Sequence, residues 1–121
     1  MKTNSVMSKT YYMDLCPTPF SLIKKGLKVV EMRLYKGDRK EIKSDDIIVF
    51  TNEENGEKLK VKVLSVSRFP SFKELYENYD KSMLGYQENE IASYKDMNLY
   101  YADEDILKYG TLAIHIKLLK N

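Results

Sequence analysis

The chain has one cysteine and one histidine in 121 residues. Cys16 alone excludes an intramolecular disulfide framework, and with His115 it is too little for a Cys/His zinc site. No D-x-[DN]-x-[DN]-G calcium loop occurs, and no glycine-rich loop of the phosphate-cradling kind. No apolar run approaches 18 residues, so no membrane-spanning helix is expected. The opening MKTNSVMSK has no apolar core of a secretory signal, and a cytosolic protein is the expectation. Neither a metal nor a cofactor is expected.

What is present is ordinary for a globular chain: 43% hydrophobic and 31% charged residues. The length fits one domain with its own core. Residues 1–9 read as a flexible tail, and residues 10–121 as the domain. The net charge of +2 conceals an asymmetry. Residues 24–43 carry eight Lys or Arg against three acids, whereas 44–110 carry fourteen acids against eight bases. A basic segment of this kind attracts polyanions. Lys24, Lys25, Lys36, Arg39 and Lys40 are its candidate nucleic-acid contacts, with a plain solvated face as the alternative.

Strands dominate the pattern. Tyr11–Leu15 reads as a first strand. Thr18 is placed to cap a helix with Pro19 at its first position, and Gly26 to end it. Val29–Leu34 and Ile47–Thr51 follow as strands, and the NEENG turn leads into a strand over 60–69, making a hairpin. Ser71 with Glu74 forms the spacing of a capping box. KSMLGYQEN reads as loop, residues 90–98 as a short helix, Asp103–Tyr109 as a last helix closed by Gly110, and Thr111–Leu118 as the final strand. The expected class is α+β, a small curled sheet or barrel of about five to six strands decorated with short helices.

The stretch GLKVVEMR stands apart. Alternation along a strand puts Val30, Met32 and Leu34 on one face, with Glu31 and Arg33 together on the other. Lys28 sits at the strand's mouth, after the turn at Gly26. Three charges meet at one rim, where they can hold a base edge or phosphate, transfer a proton, or form a structural ion pair. Glu31 so close to Lys28 is expected to keep that lysine protonated. Tyr35 beyond them is placed to stack a base. Tyr76, Tyr79, Tyr94 and Tyr109 fit inward helix positions. Cys16 reads as a packed residue and His115 as a surface one.

The pattern G-x-K-x-x-E-x-R (Gly26, Lys28, Glu31, Arg33) resembles the signature of the ASCH domain family, relatives of the PUA domains of RNA-modifying proteins. DLCPTPFSLIKKG, IKSDDIIVF, VLSVSRFPSFKEL and YYADEDILKYGTLAIHI resemble further family segments, so the likeness spans roughly residues 10–118. It implies a PUA-like β-barrel with a cleft beside the helix after strand one. That cleft would be lined by Gly26, Lys28, Glu31, Arg33 and Tyr35, and would bind RNA or a nucleotide-like ligand. One branch of the family is an amidohydrolase acting on N4-acetylcytidine with a Lys, a Thr and a Glu. By resemblance the Lys falls on Lys28, and the Thr falls where this chain has Glu31. Glu74, Glu77 and Glu88 compete for the third place. The enzyme alternative therefore rests on Lys28 and Glu31 as catalytic residues. Some members are reported to cleave RNA, and a protein-interaction module is a third reading. Asp45 stands where the family usually has Gly, and Ala102 where a Ser-like cap is expected, with Asp103 as the substitute cap.

Overall fold

The computed structural model describes residues 7–119. Residues 1–6 of the expected tail, and residues 120 and 121, lie outside these. Lys9 is held in place: its amide donates to Asp46 Oδ1 at 2.9 Å, and its carbonyl accepts from Ile47 N at 2.9 Å.

Five strands form one curled sheet, a half-barrel of PUA-like type, with short helices on both faces. They are β1 (Thr10–Leu15), β2 (Val30–Leu34), β3 (Ile47–Asn52), β4 (Lys58–Phe69) and β5 (Thr111–Leu118). Their order is β1-β3-β4-β5-β2. All neighbours are antiparallel except β1 and β3. The expected hairpin is β3–β4. The sheet leaves β1 and β2 as its two edges, and the candidate residues Glu31 and Arg33 lie on β2.

The helices are α1 (Pro17–Lys24), α2 (Phe72–Glu77) and α3 (Asp103–Tyr109), with 3₁₀ turns at Gly37–Glu41 and Tyr94–Leu99. Four local expectations are corrected. Helix α1 starts at Pro17 with Cys16 at the cap position, not at Pro19 after Thr18. Pro17 forces its predecessor extended, as a cap must be, and loses nothing by lacking an N–H in the first turn. The helix expected over 90–98 is a 3₁₀ turn beginning at Tyr94, and Ser93 caps it by accepting from Lys95 N. Ile91 is 90% exposed, so no apolar face anchors the longer helix. Asp103 is the first residue of α3 rather than its cap, and takes Asn98 Nδ2 at 2.8 Å. Tyr94, expected inward, is exposed, because the turn it opens is not an α-helix. Ser71 caps α2 as expected, accepting from Lys73 N.

The curl makes two cores. Tyr11, Met13, Phe20, Ile23, Phe50, Val63, Leu112 and Ile114 fill the concave side under α1. Val30, Met32, Leu34, Phe72, Leu75, Leu84 and Met97 pack on the convex side under α2. β2 lies between them and is buried on both faces. Its partners in β5 show which side is which. Glu31 is opposite Ile114 and Arg33 opposite Leu112, on the concave side. Val30 pairs with half-buried His115 on the convex side.

Before β3, Asp45 adopts φ +76°, the left-handed region that a family glycine would occupy freely and Asp tolerates. Asp46 beside it is buried and ties β1 to the turn. Its carboxylate accepts from Lys9 N and from Lys43 N at 3.0 Å. Burial pushes its pKa up, but these donors outweigh burial and hold it below the usual carboxylate value. A depressed carboxyl stabilises the fold above the unfolded pKa near 4, and that contribution is lost as pH falls through the folded value. Asp46→Ala should destabilise by about 2–3 kcal/mol at pH 7. In urea titrations its deficit should shrink as pH falls below about 4; a deficit constant between pH 7 and pH 2.5 would remove Asp46 from this role.

Candidate functional site

Lys28, Glu31 and Arg33 come together at the floor of a cavity of about 840 Å³. Helix α1 ends in a Schellman motif: Gly26 N bonds Ile23 O at 3.0 Å, and Leu27 N bonds Leu22 O at 2.8 Å. The motif needs a left-handed residue after the cap, and Gly26 supplies φ +77°. The chain turns there, and Lys28 points under the helix while β2 begins. Gly26 itself, named as a ligand contact from the sequence, does not line the cavity; it sets the direction of Lys28.

Glu31 is the hub. Its Oε2 accepts from Arg33 Nε at 2.7 Å, and its Oε1 stands 3.5 Å from Lys28 Nζ. Arg33 Nη2 crosses the open side of the half-barrel to donate to Asp14 O on β1 at 2.9 Å. Lys28 Nζ donates to Leu84 O at 3.2 Å. The three residues are only 6%, 4% and 9% exposed, so the charges lie on a floor, not on the rim expected from the sequence. Alternation along the strand shows that Glu31 and Arg33 share a face, but not that this face is covered.

Burial works against the pull of Glu31 on Lys28. Desolvation outweighs the pull of Glu31, and with Arg33 it sets the amine below the usual lysine value. For Glu31, burial pushes upward, but the Arg33 and Lys28 cations prevail and keep the carboxyl below its usual value. Arg33 stays a cation: Glu31 more than offsets the cost of its burial.

The walls come from segments read as loop or core. The turn after α2 folds over the start of β2, where Met83 O accepts from both Val29 N and Val30 N at 3.0 Å. Gly85 then packs on the lysine stem, and a Cβ there would stand 3.2 Å from Lys28 Cδ at φ +103°. Opposite lie four tyrosines. Tyr76 OH meets Tyr86 OH at 2.8 Å, and Tyr86 OH donates to Asp96 Oδ2 at 2.7 Å. Burial and these partners push the Tyr86 phenol far above its usual value, so it stays protonated. Tyr100 and Tyr101 complete the wall. Cys16, at the cap of α1, also faces the cavity; its thiol lies 3.4 Å from Glu53 Oε1, which holds it protonated.

Sequence reasoning missed Gly85, Tyr86, Asp96, Tyr100 and Tyr101. The available signal was the adjacent pair Tyr100–Tyr101 ahead of a helix of high acidity. Tyr76, expected inward, packs against the core under α2 and also lines the cavity. Tyr35 lies outside the cavity, under Arg68. The basic set divides: Lys25 lines the cavity, Lys24 pairs with Glu57, and Lys36, Arg39 and Lys40 lie outside the lining. Glu74, Glu77 and Glu88 do not line it either; Glu53 and Glu90 do.

The half-barrel fold agrees with the comparisons. The ASCH domain model matches residues 13–120. The chain belongs to the ASCH domain family. It is 34% identical to hypothetical protein PH0355, whose crystal structure superposes with a TM-score of 0.77 over 91% of this chain and 99% of that one. Protein PF0455 of Pyrococcus furiosus, solved by NMR, is 31% identical with a TM-score of 0.69, covering 93% and 99%. The ASCH domain from Lactobacillus crispatus JV V101 shares the fold at 14% identity and a TM-score of 0.58, covering 89% and 79%. No curated protein matches the chain. Among the described residues, no helix of this ASCH protein is long and apolar enough to cross a membrane.

Breaking a buried charge cluster on one side is costly, whereas replacing it whole by apolar groups is often tolerated. Glu31→Gln leaves two buried cations without their carboxylate and should cost about 3–5 kcal/mol in urea unfolding. Lys28→Met/Glu31→Leu/Arg33→Met should recover most of that loss. Equal instability in the triple variant would contradict the ion-pair account. Gly85→Ala strains the backbone and crowds Lys28, and should destabilise by about 1–3 kcal/mol.

Proposed function

We propose that the cavity binds an uncharged nucleoside or a single unpaired base, held by its polar edge on the floor and by its ring against the tyrosines. The observation that carries this reading is the unspent hydrogen-bonding of the floor. Lys28 Nζ has three N–H bonds and uses one well, on Leu84 O. Among the described residues, Glu31 Oε1 has only the 3.5 Å contact to Lys28. One donor and one acceptor thus stand side by side, the complement of a nucleobase edge. Tyr100 and Tyr101 supply stacking surface of a kind worth about 1–3 kcal/mol per base. A concave site with a few convergent polar groups on its floor suits a small ligand.

Charge narrows the ligand. Lys25, Lys28 and Arg33 face the cavity, but so do Asp14, Glu31, Glu53, Glu90 and Asp96. Carboxylates outnumber cations, so the phosphate alternative weakens and the neutral base edge gains.

A second reading, hydrolysis of an N4-acylated cytidine, is favoured by the burial of Lys28 beside Glu31, which moves its pKa in the direction a general base needs. Here water would cleave the amide C–N bond, giving a carboxylate and the free amine. Glu31 in place of the branch's Thr removes that hydroxyl, so binding remains the leading conclusion.

Calorimetric titration with cytidine and N4-acetylcytidine is expected to show saturable binding. The apolar triple variant should lose it, and cytidine 5′-monophosphate should bind more weakly than cytidine. No binding of any nucleoside would sink the proposal. Acetate release from N4-acetylcytidine, lost in Lys28→Met, would replace it with the amidohydrolase reading.

A further inference from the structure

We propose that a second surface, outside the cavity, binds the phosphate backbone of a single-stranded nucleic acid. It lies where β2 runs out and β4 and β5 meet. Leu34 and Phe69 both pair with Thr111, and Tyr35 N donates to Gly110 O at 3.0 Å, so these three segments converge at one end of the sheet.

Six side chains build it. Arg68 lies over the Tyr35 ring, Cζ 3.8 Å from the centroid, and Lys40 approaches the same ring at 5.8 Å. Lys36 and Lys108 approach the Tyr109 ring at 4.8 and 5.2 Å. Lys36, Lys40, Arg68 and Lys108 are all exposed. Among the described residues none of these four cations is within salt-bridge distance of a carboxylate, whereas Lys9, Lys24, Lys43 and Lys62 each have one. The cations are held by π-faces instead, which fix their position without neutralising them. A hollow of about 300 Å³ opens between Arg68 and Tyr109.

This arrangement fits unpaired nucleic acid in particular. Unpaired ammonium groups gathered on one surface suit phosphates, and the outward plane of Arg68, backed by Tyr35, is a platform on which a base can stack. A duplex hides its base faces and could use only the charges. An acidic peptide would likewise leave the platform unused. The surface also lies within reach of the cavity: Tyr35 is four positions beyond Glu31, about 13 Å along an extended chain. A strand bound here by its backbone could offer one base to the floor, but the surface stands without the cavity reading.

The test is fluorescence anisotropy with labelled 12-nucleotide single-stranded RNA and DNA of one mixed sequence, from 20 to 200 mM salt. Four phosphate contacts predict a slope of log K on log salt of about −2.8 for a single strand. In Lys36→Ala/Lys40→Ala/Lys108→Ala it should flatten to about −0.7. Arg68→Lys keeps the charge and loses the plane; it should weaken binding about fivefold or more with the slope unchanged. Saturating cytidine should leave the slope unchanged, which keeps this surface distinguishable from the cavity whether or not the cavity binds nucleosides. Tighter binding of RNA than DNA would assign the natural ligand to RNA, and equal binding would still support the surface. No binding at 20 mM salt, an unchanged slope in the triple variant, or duplex bound as tightly as single strand would overturn the proposal.

Discussion

The buried carboxylate of Glu31, held between Lys28 and Arg33, is the contact on which the rest depends. A half-barrel with two free edges has a weak side, where β1 and β2 face one another without pairing. Arg33 spans that side by taking Asp14 O, and Glu31 keeps the guanidinium oriented to do so. The same carboxylate makes it tolerable to bury Lys28, whose other partner, Leu84 O, draws the turn after α2 over the edge of β2. One ion cluster therefore fastens both edges of the sheet and forms the floor of the cavity.

Stability and function compete at such a place. Apolar residues of similar size could close the open side at less electrostatic cost. Keeping three charges in a nearly dry floor leaves hydrogen-bonding capacity that an apolar floor would lack. It also moves the lysine amine down from its usual range. The tyrosine wall is built on the same plan: Tyr76, Tyr86 and Asp96 satisfy one another's polar ends, so their rings can line the cavity without an orphaned hydroxyl. Two kinds of surface are thus held apart. The cavity is rich in carboxylates and aromatic surface; the sheet end beyond Tyr35 is rich in unpaired cations.

Much of this was legible from local pattern. Short apolar runs located β1 and β3 and period-two alternation located β5, whose expected span is the observed one. α3 and the Ser71 cap were legible because acids, caps and a terminal glycine act within one turn of chain. The Schellman turn at Gly26 and the pairing of Glu31 with Arg33 are equally local. The start of α1 was misplaced because two prolines compete for its first turn, and only packing of Phe20 and Ile23 chooses between them.

The sequence by itself determined which residues are charged, which alternate, and where glycine permits a reversed backbone. That was enough to bring Lys28, Glu31 and Arg33 to one strand mouth. Burial was decided elsewhere. The turn carrying Gly85 lies more than fifty residues along the chain from Lys28, and Asp14 is nineteen residues from Arg33. No local rule joins such segments; only the curl of the sheet does. Desolvation is a property of everything that surrounds a group, so the lowered lysine pKa, the tyrosine wall and the division of the basic residues between two surfaces emerged only with the tertiary structure.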